Sequence, residues 1–129
     1  MNNEKEKLLI NWIPEERIII LTPRGDFNKE NAKIIVDGIS EIIDKASENE
    51  KIKLVVDDTG TNKTDYEARR IYTEFAKKYT KRLSKLAVFG ANTFTKLAVR
   101  FVMSAIGRGK DLKFFDNLED SLKWIKEQK

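Results

Sequence analysis

The chain has 129 residues, 40% of them hydrophobic and 36% charged, with a formal charge of +4, which is enough for one domain with a buried core and too little for two. Cysteine and histidine are both absent, which excludes disulfides, thiolate zinc sites, nucleophilic thiols and any Ser-His or Cys-His pair. Acids alternate with the lysines and arginines, no apolar run approaches bilayer length, and the opening MNNEKEK lacks the apolar core of a signal peptide, so we expect a cytoplasmic protein with no transmembrane segment and no nucleic-acid partner.

Leu8 to Ile13 reads as a first strand with Trp12 as its one large side chain. Pro14, Glu15 and Glu16 supply a turn, and Arg17 to Thr22 reads as a second strand, giving an antiparallel hairpin. Ile18, Ile19, Ile20 and Leu21 are apolar without alternation, which places that strand inside the sheet. Pro23 to Asp26 breaks it, and Asn28 is a suitable N-cap for a helix whose Ala32, Ile35, Val36, Ile39, Ile42, Ile43 and Ala46 recur at helical spacing. Gly38 interrupts that helix, either for close packing or as a tolerated weakness of about 1 kcal/mol against alanine.

After a polar link from Ser47 to Lys51, the short run Leu54, Val55 and Val56 reads as a third strand buried on both faces. Asp57 to Asn62 forms a polar turn, and Thr64 with Glu67 has the spacing of a capping box, so a helix is predicted from Thr64 to about Tyr79. Its Ala68, Ile71, Tyr72, Phe75 and Tyr79 share one face. Lys77, Lys78, Lys81, Arg82 and Lys85 crowd its end, as a solvated cap or an anion-binding patch.

Leu86 to Phe89 is a fourth strand, and Asn92 or Thr93 caps a helix to about Ile106 that Gly107 closes. Phe94, Leu97, Ala98, Phe101, Val102, Ala105 and Ile106 form its stripe, with Val99 and Met103 beside it and only Lys96 and Arg100 as charges. Such a helix is buried on two sides, or it presents an apolar patch to a partner or ligand. Leu112 to Phe115 is a fifth strand. Asp116 or Asn117 caps a last helix with Leu118, Leu122 and Ile125 inward and Trp124 at its flank.

The order β-β-α-β-α-β-α-β-α predicts an α/β fold, one antiparallel hairpin followed by parallel strands joined by right-handed crossovers. In such a sheet the strand–loop–helix junction holding Asp57, Asp58, Thr59, Thr61 and Thr64 is where ligands are met. Asp57, Thr59 and Thr61 offer oxygen ligands for magnesium, but turn chemistry already accounts for them. Asp26 and Asp116 lie at strand ends near the same rim, which hints at a polar cleft shared with Asp57 and Asn92. No nucleophile with an adjacent base can be assembled, so no catalytic residue, metal or cofactor is assigned.

Particular residues sharpen this picture. The hairpin ending Thr22-Pro23-Arg24-Gly25-Asp26, the strand Leu54-Val55-Val56-Asp57, the strand Leu86-Ala87-Val88-Phe89-Gly90 running into an apolar helix, and Phe114-Phe115-Asp116 followed by Glu119 to Ile125 together resemble the STAS superfamily, in its SpoIIAA-like branch grouped with SEC14-type domains. The resemblance spans nearly the whole chain, as one STAS-like domain over 1–129. It implies a mixed sheet with an N-terminal hairpin and four right-handed β-α units, and a non-catalytic binding module with a protein partner or a second copy of itself. Anti-sigma-factor antagonists of the superfamily dock on a kinase-like partner and are switched by phosphorylation of a serine in the loop after the third strand. Here that loop lacks the Asp-Ser-Ser-Gly tag and offers threonines instead, so Asp57, Asp58, Thr59, Thr61 and Thr64 are the candidate binding or switch loop. The SEC14-like grouping implies a lipid-like or other apolar ligand, with Phe94, Leu97, Val99, Phe101, Val102 and Met103 as its wall or as the partner surface.

Overall fold

The computed structural model describes residues 9–127. Strands β1 (Leu9–Ile13) and β2 (Ile18–Thr22) pair antiparallel, as the hairpin reading requires. Strands β4 (Ile52–Asp57), β6 (Leu83–Phe89) and β7 (Leu112–Phe115) then add in parallel, giving one five-stranded mixed sheet in the order β1-β2-β4-β6-β7. Leu8, expected to open the first strand, lies outside the described residues.

Helices α1 (Lys29–Lys45), α2 (Tyr66–Lys78), α3 (Thr93–Ala105) and α4 (Leu118–Glu127) connect and follow the parallel strands. The unalternating strands are explained by what covers each face. Ile19, Leu21 and Leu54 point into a core with Ile35, Ile39 and Ile43 of α1 and Ala68 and Phe75 of α2. Their neighbours Ile18, Val55, Ala87 and Phe89 point the other way, onto Ile125 of α4, with Leu122 and Trp124 packed alongside. Side chains alternate between faces, and both faces are apolar. Gly38 serves close packing: a Cβ there would run into the side chain of Ile10 on β1.

Three features depart from the sequence reading. Segments expected as turns form a second, two-stranded parallel sheet, β3 (Gly25–Phe27) with β5 (Thr61–Thr64). Because β2 and β4 are parallel neighbours, their continuations leave the sheet side by side, and the Gly25 N–H donates to the Gly60 carbonyl at 2.8 Å. Thr64 is consequently in a ladder, and the N-cap of α2 is Asp65, whose carboxylate accepts from the Ala68 N–H at 2.8 Å. In α4, Leu118 is 39% exposed, whereas Ser121 is fully buried. The small serine fits against the sheet and satisfies its hydroxyl on the Asn117 carbonyl at 2.9 Å.

The expected caps Asn28 and Asn92 accept from the N–H groups of Asn31 and Thr95. Asn117 rather than Asp116 caps α4, accepting from the Asp120 N–H at 2.8 Å. Of the cations at and after the end of α2, Lys77, Lys78 and Lys81 are exposed, as a solvated cap requires, and the other two are bonded into the structure. Arg82 donates to the Ser47 carbonyl at 2.8 Å, and Lys85 pairs with Asp111 at 3.1 Å.

Candidate functional site

Strands β2, β4 and β6 end on one rim, and the polar turn after β4 is built there. Asp57 Oδ1 accepts from the Thr59 N–H at 3.0 Å and from the Thr59 hydroxyl at 2.5 Å, a turn closed by its own side chains. Its Oδ2 meets Arg24 at 3.3 Å, and Arg24 also donates to the Pro23 carbonyl at 2.7 Å. Arg24 lies across Gly60, where any Cβ would displace it. Burial pushes the Asp57 carboxyl up, but the Thr59 and Arg24 hydrogen bonds outweigh it and hold the group below the ordinary carboxylate range.

Asp58 turns the other way. It has the parity of Leu54 and Val56, and it is 3% exposed beneath α2 and α3. Burial, reinforced by the charge of Asp57 and opposed by Arg24, pushes its carboxyl up to about 7. The Tyr72 hydroxyl, buried and close to Asp58, is pushed well above its ordinary value by burial and then by that carboxylate.

The five loop residues singled out in the sequence are thus divided: Asp57 and Thr59 form the rim with Arg24, Asp58 faces inward, and Thr61 and Thr64 belong to β5. Asp26 and Asp116 are exposed and Asn92 is occupied as a cap, with no contact to Asp57 among the described residues. Among the described residues no cluster of three acidic side chains is placed to hold a metal ion.

Between α2, α3 and the sheet lies a cavity of about 140 Å³ with almost wholly apolar walls. It divides the expected apolar surface of α3. Val99, Val102 and Met103 line the cavity, whereas Phe94, Leu97 and Phe101 face solvent at 79%, 57% and 54% exposure. The helix is therefore not buried on two sides: one apolar side lines the cavity and the other is an exposed apolar patch. Asp58, Arg69, Tyr72 and Thr95 line the end of the cavity near the rim and Thr80, Ser84, Lys85 and Arg108 the other, but almost none of their polar surface is turned to it.

The two ends differ in how their cations are used. Arg108 donates to the Leu83 and Ser84 carbonyls at 2.8 Å each and to Asp111 at 2.7 Å. The Arg69 guanidinium sits over the rings of Phe101 and Tyr66, at 5.3 and 5.9 Å from their centroids. Arg24 and Arg69 were not singled out as site residues in the sequence. Arg24 could have been, because it directly precedes the Gly25-Asp26 pair; Arg69 carries no local signal.

A family model described as SpoIIAA-like matches residues 18–126. The chain belongs to the SpoIIAA-like family. Solved structures agree with this SpoIIAA-like chain in fold. A DUF3478-family protein with a SpoIIAA-like fold from Shewanella loihica PV-4 superposes with a TM-score of 0.69 at 16% identity, over 92% of this chain and 91% of that one. The anti-sigma factor antagonist SpoIIAA in its unphosphorylated form gives 0.67 at 10% identity, over 95% and 98%. An anti-sigma factor antagonist from Mycobacterium paratuberculosis gives 0.59 at 15%, over 92% of each. No curated protein matches the sequence. Among the described residues no helix of this SpoIIAA-like chain is long and apolar enough to cross a membrane.

Proposed function

We propose that this chain is a non-catalytic, cytoplasmic regulatory module of the STAS type that acts by binding a protein partner through the outer face of α3 and the adjoining Asp57–Thr64 loop. The observation that carries the reading is the exposure of Phe94, Leu97 and Phe101 at successive turns of one helix, with Tyr66 of α2 also 64% exposed. Large apolar side chains grouped on a surface are what partner-binding faces present. The helix has Lys96 and Arg100 and no acid, so the partner surface that fits it is apolar with an acidic rim. The related structures named as anti-sigma factor antagonists support an action on another protein.

A photo-crosslinking residue placed at Leu97 in cells tests this. A discrete adduct that is absent when the same residue replaces exposed Lys123, and that Phe101→Asp abolishes, is the expected result; mass spectrometry of the adduct separates a different protein from a second copy. Absence of any discrete adduct overturns the reading.

The cavity favours a second reading, binding of a lipid-like or other apolar small molecule as a SEC14-like carrier or sensor, because apolar space of about 140 Å³ walled by Val99, Val102 and Met103 is close in size to a dry cavity that takes benzene. Native mass spectrometry of the purified chain tests it by the mass of a co-purified molecule.

A further inference from the structure

The exposed apolar strip of α3 has a cationic border on each side. Toward α2, the Arg69 guanidinium lies over the rings of Tyr66 and Phe101. Toward β7, Lys96 and Arg100, one turn apart, lie over the ring of Phe114 at 5.8 and 5.0 Å from its centroid. None of these three cations forms an ion pair with a carboxylate among the described residues, and α3 carries no acid. Cations held over aromatic rings keep their charge and are already placed, so less order is lost when a carboxylate meets them.

We infer that the partner of this face is an amphipathic helix of a different protein, its apolar stripe flanked on both sides by aspartates or glutamates; this rests on the protein-partner reading above. A single helix fits because the strip is narrow and straight. Phe94 and Phe101 lie about 10 Å apart along the α3 axis, a distance that a partner helix covers in two turns with apolar residues at i, i+3 or i+4 and i+7. Both flanks of that helix then meet cations, Arg69 on one side and Lys96 with Arg100 on the other. A second copy is disfavoured by charge, since two α3 faces packed together set Lys96 and Arg100 against their own counterparts. An anionic bilayer also fits less well, because the exposed acids Asp65 and Glu67 flank exposed Tyr66, and a charged plane would meet them together with the cations.

Digesting the Leu97 photo-adduct formed in cells and sequencing the attached peptide by mass spectrometry tests the inference. The expected peptide comes from another protein and has apolar residues at helical spacing with acidic residues on both flanks. Lys96→Glu combined with Arg100→Glu should lower the adduct yield at least about tenfold, and Lys96→Gln combined with Arg100→Gln should lower it by less. The glutamine pair adds no new charge, so it carries the test should the glutamate pair fail to fold. An adduct with a second copy, a peptide without acids, or a yield unchanged by both pairs overturns the acidic-helix inference while the protein-partner reading survives. No discrete adduct overturns both, and sedimentation on phosphatidylserine vesicles that Phe101→Asp abolishes would then assign the face to a membrane.

Discussion

Gly90 and Thr59 face each other across the ends of β6 and β4 so closely that a Cβ on Gly90 would collide with the Thr59 side chain and come within 3.2 Å of its Cα. Gly90 also has a φ of +74°, a left-handed conformation that costs other L-residues roughly 1–2 kcal/mol. Gly90→Ala should therefore lower the urea midpoint at unchanged m-value, by about 2 kcal/mol or more once Thr59 is displaced. In the Gly90→Ala background, Thr59→Ala should recover the part due to the collision and leave the part due to φ, so the double-mutant cycle separates the two.

Asp58 makes a prediction that the composition isolates. Its folded-state value of about 7 lies above the ordinary 3.8, so between those values the folded chain holds a proton that the unfolded chain has lost. Stability is then fully present below about pH 4 as far as this group is concerned, and it falls as pH rises to about 7, by at most about 1.4 kcal/mol per unit. Asp57 and Asp111 work in the opposite sense, since their lowered values stabilise the fold at higher pH and that contribution is lost on acidification. With no histidine in the chain, Asp58 is the group among the described residues whose shift spans pH 5 to 7. Urea midpoints at pH 5 and pH 7 should differ in the native chain and converge in Asp58→Asn.

The inward turn of Asp58 was available in the sequence and hidden by its neighbour. Alternation along β4 gives Leu54, Val56 and Asp58 one parity, yet two adjacent aspartates in a turn-rich stretch read as two exposed ones. Caps such as Asn28 and Asn92 were legible because a short polar side chain bonding an N–H three residues on is a local event. The β3–β5 pair was not, since Gly25–Phe27 and Thr61–Thr64 carry no apolar run; their pairing is imposed by the parallel strands that precede them. That also moved the cap from Thr64 to Asp65, two residues equally suited to the role by type. On α3 the pattern showed too many apolar positions for one stripe, but Phe94, Leu97 and Phe101 are no less apolar than Val99, Val102 and Met103. Only the placement of α2 beside the helix decides which set meets water.

Arg108 fastens the start of β6 to the turn before β7 through the Leu83 and Ser84 carbonyls and Asp111. Arg108→Met keeps much of the apolar stem and removes every donor. The carbonyls and Asp111 then lose a partner together, and a loss of about 2–4 kcal/mol is expected. Lys85→Met removes one ion pair from the same carboxylate and should cost less, about 1 kcal/mol. Thermal or urea unfolding of the two variants checks the order.

The rim makes a prediction about a single carboxylate. Among the interactions that lower Asp57, the hydroxyl of Thr59 leads, its N–H follows and Arg24 comes after, all working against burial. Thr59→Val keeps the shape and the N–H but deletes the hydroxyl, and Arg24→Gln deletes both a hydrogen bond and a neighbouring positive charge, so each should raise the Asp57 titration midpoint. A carboxyl carbon-13 titration of the native chain and both variants reads this directly. In both variants the acid limb of the stability profile should shift toward higher pH, because the stabilisation Asp57 supplies above its unfolded value shrinks as its folded value approaches it. A larger rise in Arg24→Gln would make the ion pair across Gly60, and a larger rise in Thr59→Val the turn closed by its hydroxyl, the interaction that keeps this rim negatively charged.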